Sequence, residues 1–129
     1  MAPSCVADTS WLVALLNAED EFHRRARAEA ESMDLIHVPS VILAETLSYV
    51  KYRARTVQAT RDAVRFLSSK PNVALASPEH DHEATMRYWV AHPRLSYHDA
   101  AAVAAAKRLG LPLGSFDEDQ QEALVSGKP

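Results

Sequence analysis

Short apolar runs alternate along this chain with longer stretches in which apolar residues recur every three or four positions. That is the rhythm of strands interleaved with helices. Val6-Ala7 predicts the end of a first strand, with Ser10 capping a helix to about Asn17. Asp20 opens a second helix from Glu21 to about Ser32, its acids at the positive end. Leu35-Ile36-His37-Val38 predicts a second strand closed by Pro39, and Ser40 caps a helix to about Arg53. Thr56 opens another helix to about Lys70, and Asn72 to Ala76 predicts a third strand. Ser77-Pro78 then starts a helix from Glu79 to about Ala91. After a loop at His92 to Leu95, Ser96-Tyr97-His98-Asp99 forms a capping box. An alanine-rich helix follows from Ala100 to Leu109 and ends at Gly110. Leu111 to Phe116 predicts a last strand and Asp117 to Leu124 a last helix, with a frayed end from Ser126 to Pro129.

Composition narrows the class. The chain has 129 residues, 47% of them hydrophobic, enough for one compact domain with a real core. No apolar run is long enough to cross a bilayer. The opening Met1-Ala2-Pro3-Ser4-Cys5 lacks the basic and apolar segments of a secretion signal, so the expectation is a cytoplasmic protein with no membrane partner. A single cysteine, Cys5, excludes an intramolecular disulfide and a Cys-rich zinc site, and reads as a small core residue. The net charge of −3 excludes a generic polyanion binder, so any nucleic-acid contact must come from local clusters.

The candidate chemistry lies in acids. Asp8 stands between the first strand and its helix, the edge where open α/β sheets bind ligands. Glu45 sits in an apolar helix beside Val41, Tyr49 and Tyr52, Asp99 at a helix start, and Asp117 after a short strand. Carboxylates brought together repel unless a cation compensates, and oxygen-only ligation suits Mg²⁺ or Mn²⁺. This pattern predicts a metal-dependent phosphodiesterase site. Each acid also has a plainer reading: Asp8 as a helix cap, Glu45 neutralised by an arginine or lying on an exposed rim, Asp99 as part of its capping box, and Asp117 as an ordinary acid at a helix start.

Other residues are less specific. Arg24, Arg25 and Arg27 read as a solvated face, while Lys51, Arg53, Arg55, Arg61 and Arg65 form the densest basic segment and are candidates to approach phosphates. His23, His80 and His82 read as surface, and the latter two are wrongly spaced for paired zinc ligation on a helix. Met86, Trp89 and Val90 read as core.

Four segments carry a resemblance: Val6-Ala-Asp-Thr-Ser-Trp-Leu, Val38-Pro-Ser-Val-Ile-Leu-Ala-Glu-Thr, Ser96-Tyr-His-Asp-Ala-Ala-Ala-Val-Ala-Ala-Ala and Ser115-Phe-Asp-Glu-Asp. In this order the chain resembles the PIN-domain ribonucleases, specifically the VapC-type toxins of bacterial toxin–antitoxin pairs. The resemblance implies an α/β fold, one PIN-like domain over residues 1–129, its twisted, mostly parallel sheet of about four or five short strands flanked by about seven helices. It makes Asp8, Glu45 and Asp99 the three core acids and Asp117 the fourth, with Thr9 and Ser115 holding carboxylates by hydrogen bonds. Ser115 stands where the family usually has threonine. Gln120 and Gln121 stand where it has an aromatic residue, so Asp119 could share or take the role of Asp117. Also implied are Mg²⁺ (with Mn²⁺ as substitute), a structured RNA substrate such as tRNA or rRNA, a small antitoxin partner and a homodimer. Cleavage would leave a 5′-phosphate and a 3′-hydroxyl.

Three other classes compete. The first is the same fold with a crippled site, acting as an RNA-binding or scaffold module. The second is a phosphoacceptor enzyme using Asp8, although no D-x-D-x-T motif or preceding acid pair supports it. The third is a protein whose main activity is partner binding through Val41, Tyr49 and Tyr52.

Overall fold

Strands and helices alternate as β1 (Ser4–Ala7), α1 (Thr9–Leu16), α2 (His23–Glu31), β2 (Leu35–Pro39), α3 (Ser40–Ala54), α4 (Val57–Ser69), β3 (Val73–Ala76), α5 (His82–Ala91), α6 (Tyr97–Leu109), β4 (Leu113–Gly114) and α7 (Glu118–Ser126). The computed structural model describes residues 3–54, 56–76 and 82–126. Among these, the expected PIN-like α/β architecture is present, with seven helices around one four-stranded sheet whose pairings are all parallel. No helix of the described residues is long and apolar enough to cross a membrane.

The sheet order is β3-β2-β1-β4. From β1 the chain steps outward to β2 and then β3, and afterwards crosses back to place β4 on the opposite side of β1. Where the order reverses, the loops at the carboxyl ends of neighbouring strands diverge and leave a crevice. Asp8 follows β1 and Ser115 follows β4, so both stand at that crevice.

The core explains why the sheet is so short and still holds. Cys5, Val6 and Ala7 of β1 and Ile36 and Val38 of β2 are buried, as is every residue from Ala100 to Ala106 in α6. Alanines all round let α6 touch β1, β2 and β4 on one side and α3, α5 and α7 on others. Gly114 serves the same close packing: a Cβ there would stand 3.1 Å from the Trp11 indole. The Cys5 thiol is pushed up to about 11, by burial first and the Glu29 charge second, so it behaves as a core residue.

Several boundaries and environments differ from the sequence expectations. Asp8, not Ser10, is the N-cap of α1, because its carboxylate accepts the Trp11 amide. The second helix begins at His23, since Asp20 spends its carboxylate on the Phe22 amide in a turn. His23 is half-buried, its ring Nδ1 donating to the Ala14 carbonyl at 2.7 Å, so it ties α2 to α1. Met86, Trp89 and Val90 are exposed; the inner face of α5 is instead Thr85 and Tyr88. The last strand covers only Leu113–Gly114, because Ser115 turns into the site, and α7 runs on to Ser126. The expected cap at Ser77-Pro78, the helix start at Glu79, His80, Arg55 and the tail 127–129 lie outside the described residues.

Candidate active site

Asp8 is 1% exposed, at the end of a strand buried throughout its last three residues. Its Oδ1 accepts the Trp11 amide at 2.9 Å, the ordinary work of an N-cap. Ser10 Oγ lies 3.1 Å and 3.2 Å from its two oxygens, and Ser115 Oγ lies 2.8 Å from Oδ2. Even so, burial pushes the carboxyl up to about 6, against these three donors and with a further upward push from Asp99. This acid is therefore both a cap and a desolvated charge. The two readings of Asp8 coexist.

Glu45 projects from α3 and is not buried. Its side chain is 35% exposed and no arginine pairs with it among the described residues, so of its two plainer readings the exposed rim fits and the arginine partner does not. Thr9 Oγ1 donates to its Oε1, and His98 Nδ1 lies 3.0 Å from its Oε2. Thr9 therefore does hold a carboxylate, that of Glu45. Asp99 lies in the first turn of α6, whose N-cap Ser96 accepts the Asp99 amide at 3.1 Å. Its pKa is raised by burial first, and further by the charges of Asp117 and Glu45, against the Ser96 hydrogen bonds. Asp117 precedes α7; its Oδ1 accepts the Asp119 amide at 2.8 Å and the Gln120 amide at 3.3 Å.

These four acids line one cleft of about 510 Å³ together with Thr9, Ser10, Val13, Tyr49, Phe22 and Phe116. Asp20 and Glu21 line it too, bringing the lining carboxylates among the described residues to six, with no lysine, arginine or histidine in that lining. Among the described residues no three His, Cys, Asp or Glu side chains close on a single point as a preformed ion cage. The carboxylates stand around the cleft rather than drawn together, as repulsion between uncompensated like charges dictates. A donor set of oxygen atoms only, with Asp8 desolvated and Asp99 pushed up by burial and by the neighbouring acid charges, fits a hard divalent cation. Asp119 takes a different direction: it lies 3.9 Å from Arg94 and lines a separate depression with His92 and Glu122. Asp117 lines the acid cleft and Asp119 does not.

Gln120 is the residue that sequence reasoning treated only as a departure from a pattern. It is fully buried; its Oε1 lies 2.6 Å from Ser115 Oγ and its Nε2 donates to the Asp99 carbonyl at 3.2 Å. Gln120 thereby ties the Asp8 support to the backbone of Asp99. A glutamine three residues after an acid at a helix start carries no local mark of this role. The contact of His98 with Glu45 spans two helices and has no sequence signature. Phe22 and Phe116 stack with ring centres 4.4 Å apart in the cleft wall, and the Arg25 guanidinium lies 5.0 Å from the Phe116 ring. Otherwise Arg25 and Arg27 form exposed pairs with Glu29 and Glu31, a solvated face as expected. Lys51, Arg61 and Arg65 line another depression, with Val57 and Val64, away from the acids.

Comparison with known proteins follows the same outline. The family model for the PIN domain matches residues 5–124. A search of curated proteins finds no significant match. Among solved structures the chain is similar to Mycobacterium tuberculosis VapC20, described as a sarcin-ricin loop cleaving toxin. The TM-score is 0.74 at 23% identity, over 92% of this chain and 94% of that one. It is also similar to PAE2754 from Pyrobaculum aerophilum, with a TM-score of 0.62 at 21% identity, over 95% of this chain and 86% of that one. At such identities the structures speak for the fold, and the match along the sequence speaks for the family: this chain belongs to the PIN-domain family.

Proposed function

We propose that this chain is a metal-dependent endoribonuclease, the toxin member of a toxin–antitoxin pair. One observation carries the reading: acids from four separated segments line a single cleft at the sheet's switch point, and among the described residues no lysine or arginine pairs with any of these four. A stable fold has no need of such a cluster, and self-repulsion argues against it unless a cation enters. Asp8, Glu45, Asp99 and Asp117 would hold Mg²⁺ or Mn²⁺. When bound, the ion supplies a water of lowered pKa and neutralises charge on the scissile phosphate.

The chain's own residues then have defined tasks. Ser10 and Ser115 orient Asp8, and Thr9 and His98 orient Glu45 from opposite oxygens. Asp117 holds or orients the attacking water. Gln120 fixes Ser115 against the Asp99 carbonyl in the first turn of α6. Supports of this kind commonly change metal affinity or activity by about 10–100-fold.

The substrate class follows by analogy: VapC20 is described as cleaving the sarcin-ricin loop, so a structured RNA such as rRNA or tRNA is the proposed substrate here. A small antitoxin, a homodimer and a cytoplasmic location complete the reading. It is tested by RNA cleavage with and without chelator. Cleavage should need Mg²⁺ or Mn²⁺ and vanish in Asp8→Asn. Activity that survives either change removes the mechanism, and absence of both cleavage and Mn²⁺ binding would leave an RNA-binding scaffold.

A further inference from the structure

A second cavity, of about 320 Å³, adjoins the acid cleft. It lies between the end of α1, α3 and α4, and is lined by Val13, Leu16, Asn17, Glu19, Tyr49, Arg53 and Asp62 among others. Val13 and Tyr49 line both cavities, so the two adjoin across these side chains. Tyr49 is 42% exposed, and the Arg53 guanidinium lies 5.8 Å from its ring centre. A tyrosine ring with a guanidinium beside it in the same cavity offers stacking surface and a cation to a flat, electron-rich partner.

Resting on the ribonuclease reading, we propose that this cavity binds one nucleobase of the RNA, next to the cleavage position, stacked on Tyr49 and read by Asp62 and Glu19. Its volume falls at the low end of small-ligand sites, about 300–1,000 Å³, and suits a single unstacked base. Two carboxylates against one guanidinium make its polar wall repel a phosphate and accept hydrogen bonds from an amino-bearing base edge. Asp62 is already held in place, since Gln58 Nε2 donates to its Oδ1 at 2.7 Å. Guanine, adenine and cytosine present such an amino group; uracil does not. The discriminating prediction is a bias against uridine at one position flanking the cut.

The test has two arms on the whole chain. In the first, random-sequence RNA is digested with Mg²⁺ and the bases around each cut are counted. In the second, the affinity for a fluorescent single-stranded RNA is measured in chelator, where nothing is cut. Tyr49→Ala should lower affinity and kcat/KM about tenfold, within the range for losing one base–aromatic stack, while Tyr49→Phe keeps both. Asp62→Asn should erase the bias against uridine. Tyr49 sits on a helix surface, so a circular dichroism melt serves to show that Tyr49→Ala still folds. Unchanged affinity and unchanged cut-site composition in Tyr49→Ala overturn the proposal and leave the nuclease reading standing. If no variant cuts RNA but Tyr49→Ala still binds about tenfold more weakly, the nuclease reading fails and the base pocket holds.

Discussion

Asp8 has three donors, yet its carboxyl sits at about 6, so burial outweighs hydrogen bonding at this one residue. The fold tolerates an ionised group that it does not fully solvate, which is how functional sites commonly trade stability for chemistry. Asp8→Asn keeps an acceptor for the Trp11 amide and removes the charge. It should stabilise the metal-free protein at pH 7 by about 2–3 kcal/mol, read as a higher melting temperature in chelator, while abolishing cleavage. Ser115 poses a related problem. Its hydroxyl has one proton and two acceptors in reach, Asp8 Oδ2 at 2.8 Å and Gln120 Oε1 at 2.6 Å, while it accepts the Asp117 amide at 3.0 Å. Gln120→Leu releases that proton to Asp8 but removes the Nε2 hydrogen bond that ties α7 to the Asp99 carbonyl. Urea unfolding should show a loss of about 1–3 kcal/mol. Combined with Ser115→Ala, the loss should fall short of the sum, because both changes cut one network.

At the scale of elements, α6 joins stability to chemistry. Its N-cap Ser96 accepts the Asp99 amide, and Gly110 ends it in the left-handed conformation at φ 66°. Ser96→Ala should cost about 1 kcal/mol in thermal unfolding. It also removes the side-chain one of the two Ser96 hydrogen bonds that hold the Asp99 pKa down, so the acid limb of the cleavage profile should move to higher pH. Such elements were legible in the chain, because the capping box, the alanine run and the terminal glycine are local signals. So were the four acids, since each falls where a strand or helix begins or ends, or stands out on an apolar face. What escaped was set by packing between distant segments. Glu45 looked buried on an apolar helix, but its face opens on the cleft between α1 and α6, where Thr9 and His98 meet it. Met86, Trp89 and Val90 followed an apolar rhythm, yet α5 packs through Thr85 and Tyr88. Nothing local distinguishes the two faces. Asp20 and Glu21 looked like helix-start acids and became cleft lining, because α2 starts two residues late.

For the molecule as a whole, the raised carboxyls make stability, pH and cation binding one linked equilibrium. An acid with an ordinary pKa near 3.8 unfolded and about 6 folded leaves the native state holding more protons between those values. Stability then falls as pH rises through that window, and the loss is complete above it. Asp99, raised in the same direction, adds to the slope. A divalent ion reverses the sign, because it binds the ionised carboxylates and competes with protons for them. In chelator the melting temperature should therefore decline from about pH 4 to about pH 7 through these groups. With Mn²⁺ or Mg²⁺ at about a hundred times its dissociation constant, the protein should gain about 2.7 kcal/mol, a shift of several degrees. That gain should be small at pH 5 and full by pH 7, and Asp8→Asn should lose most of it. Calorimetric scans across this range decide the matter. A cation shift that is the same at every pH, or the same in Asp8→Asn, would separate ion binding from the buried acid and break the link between this cleft and metal.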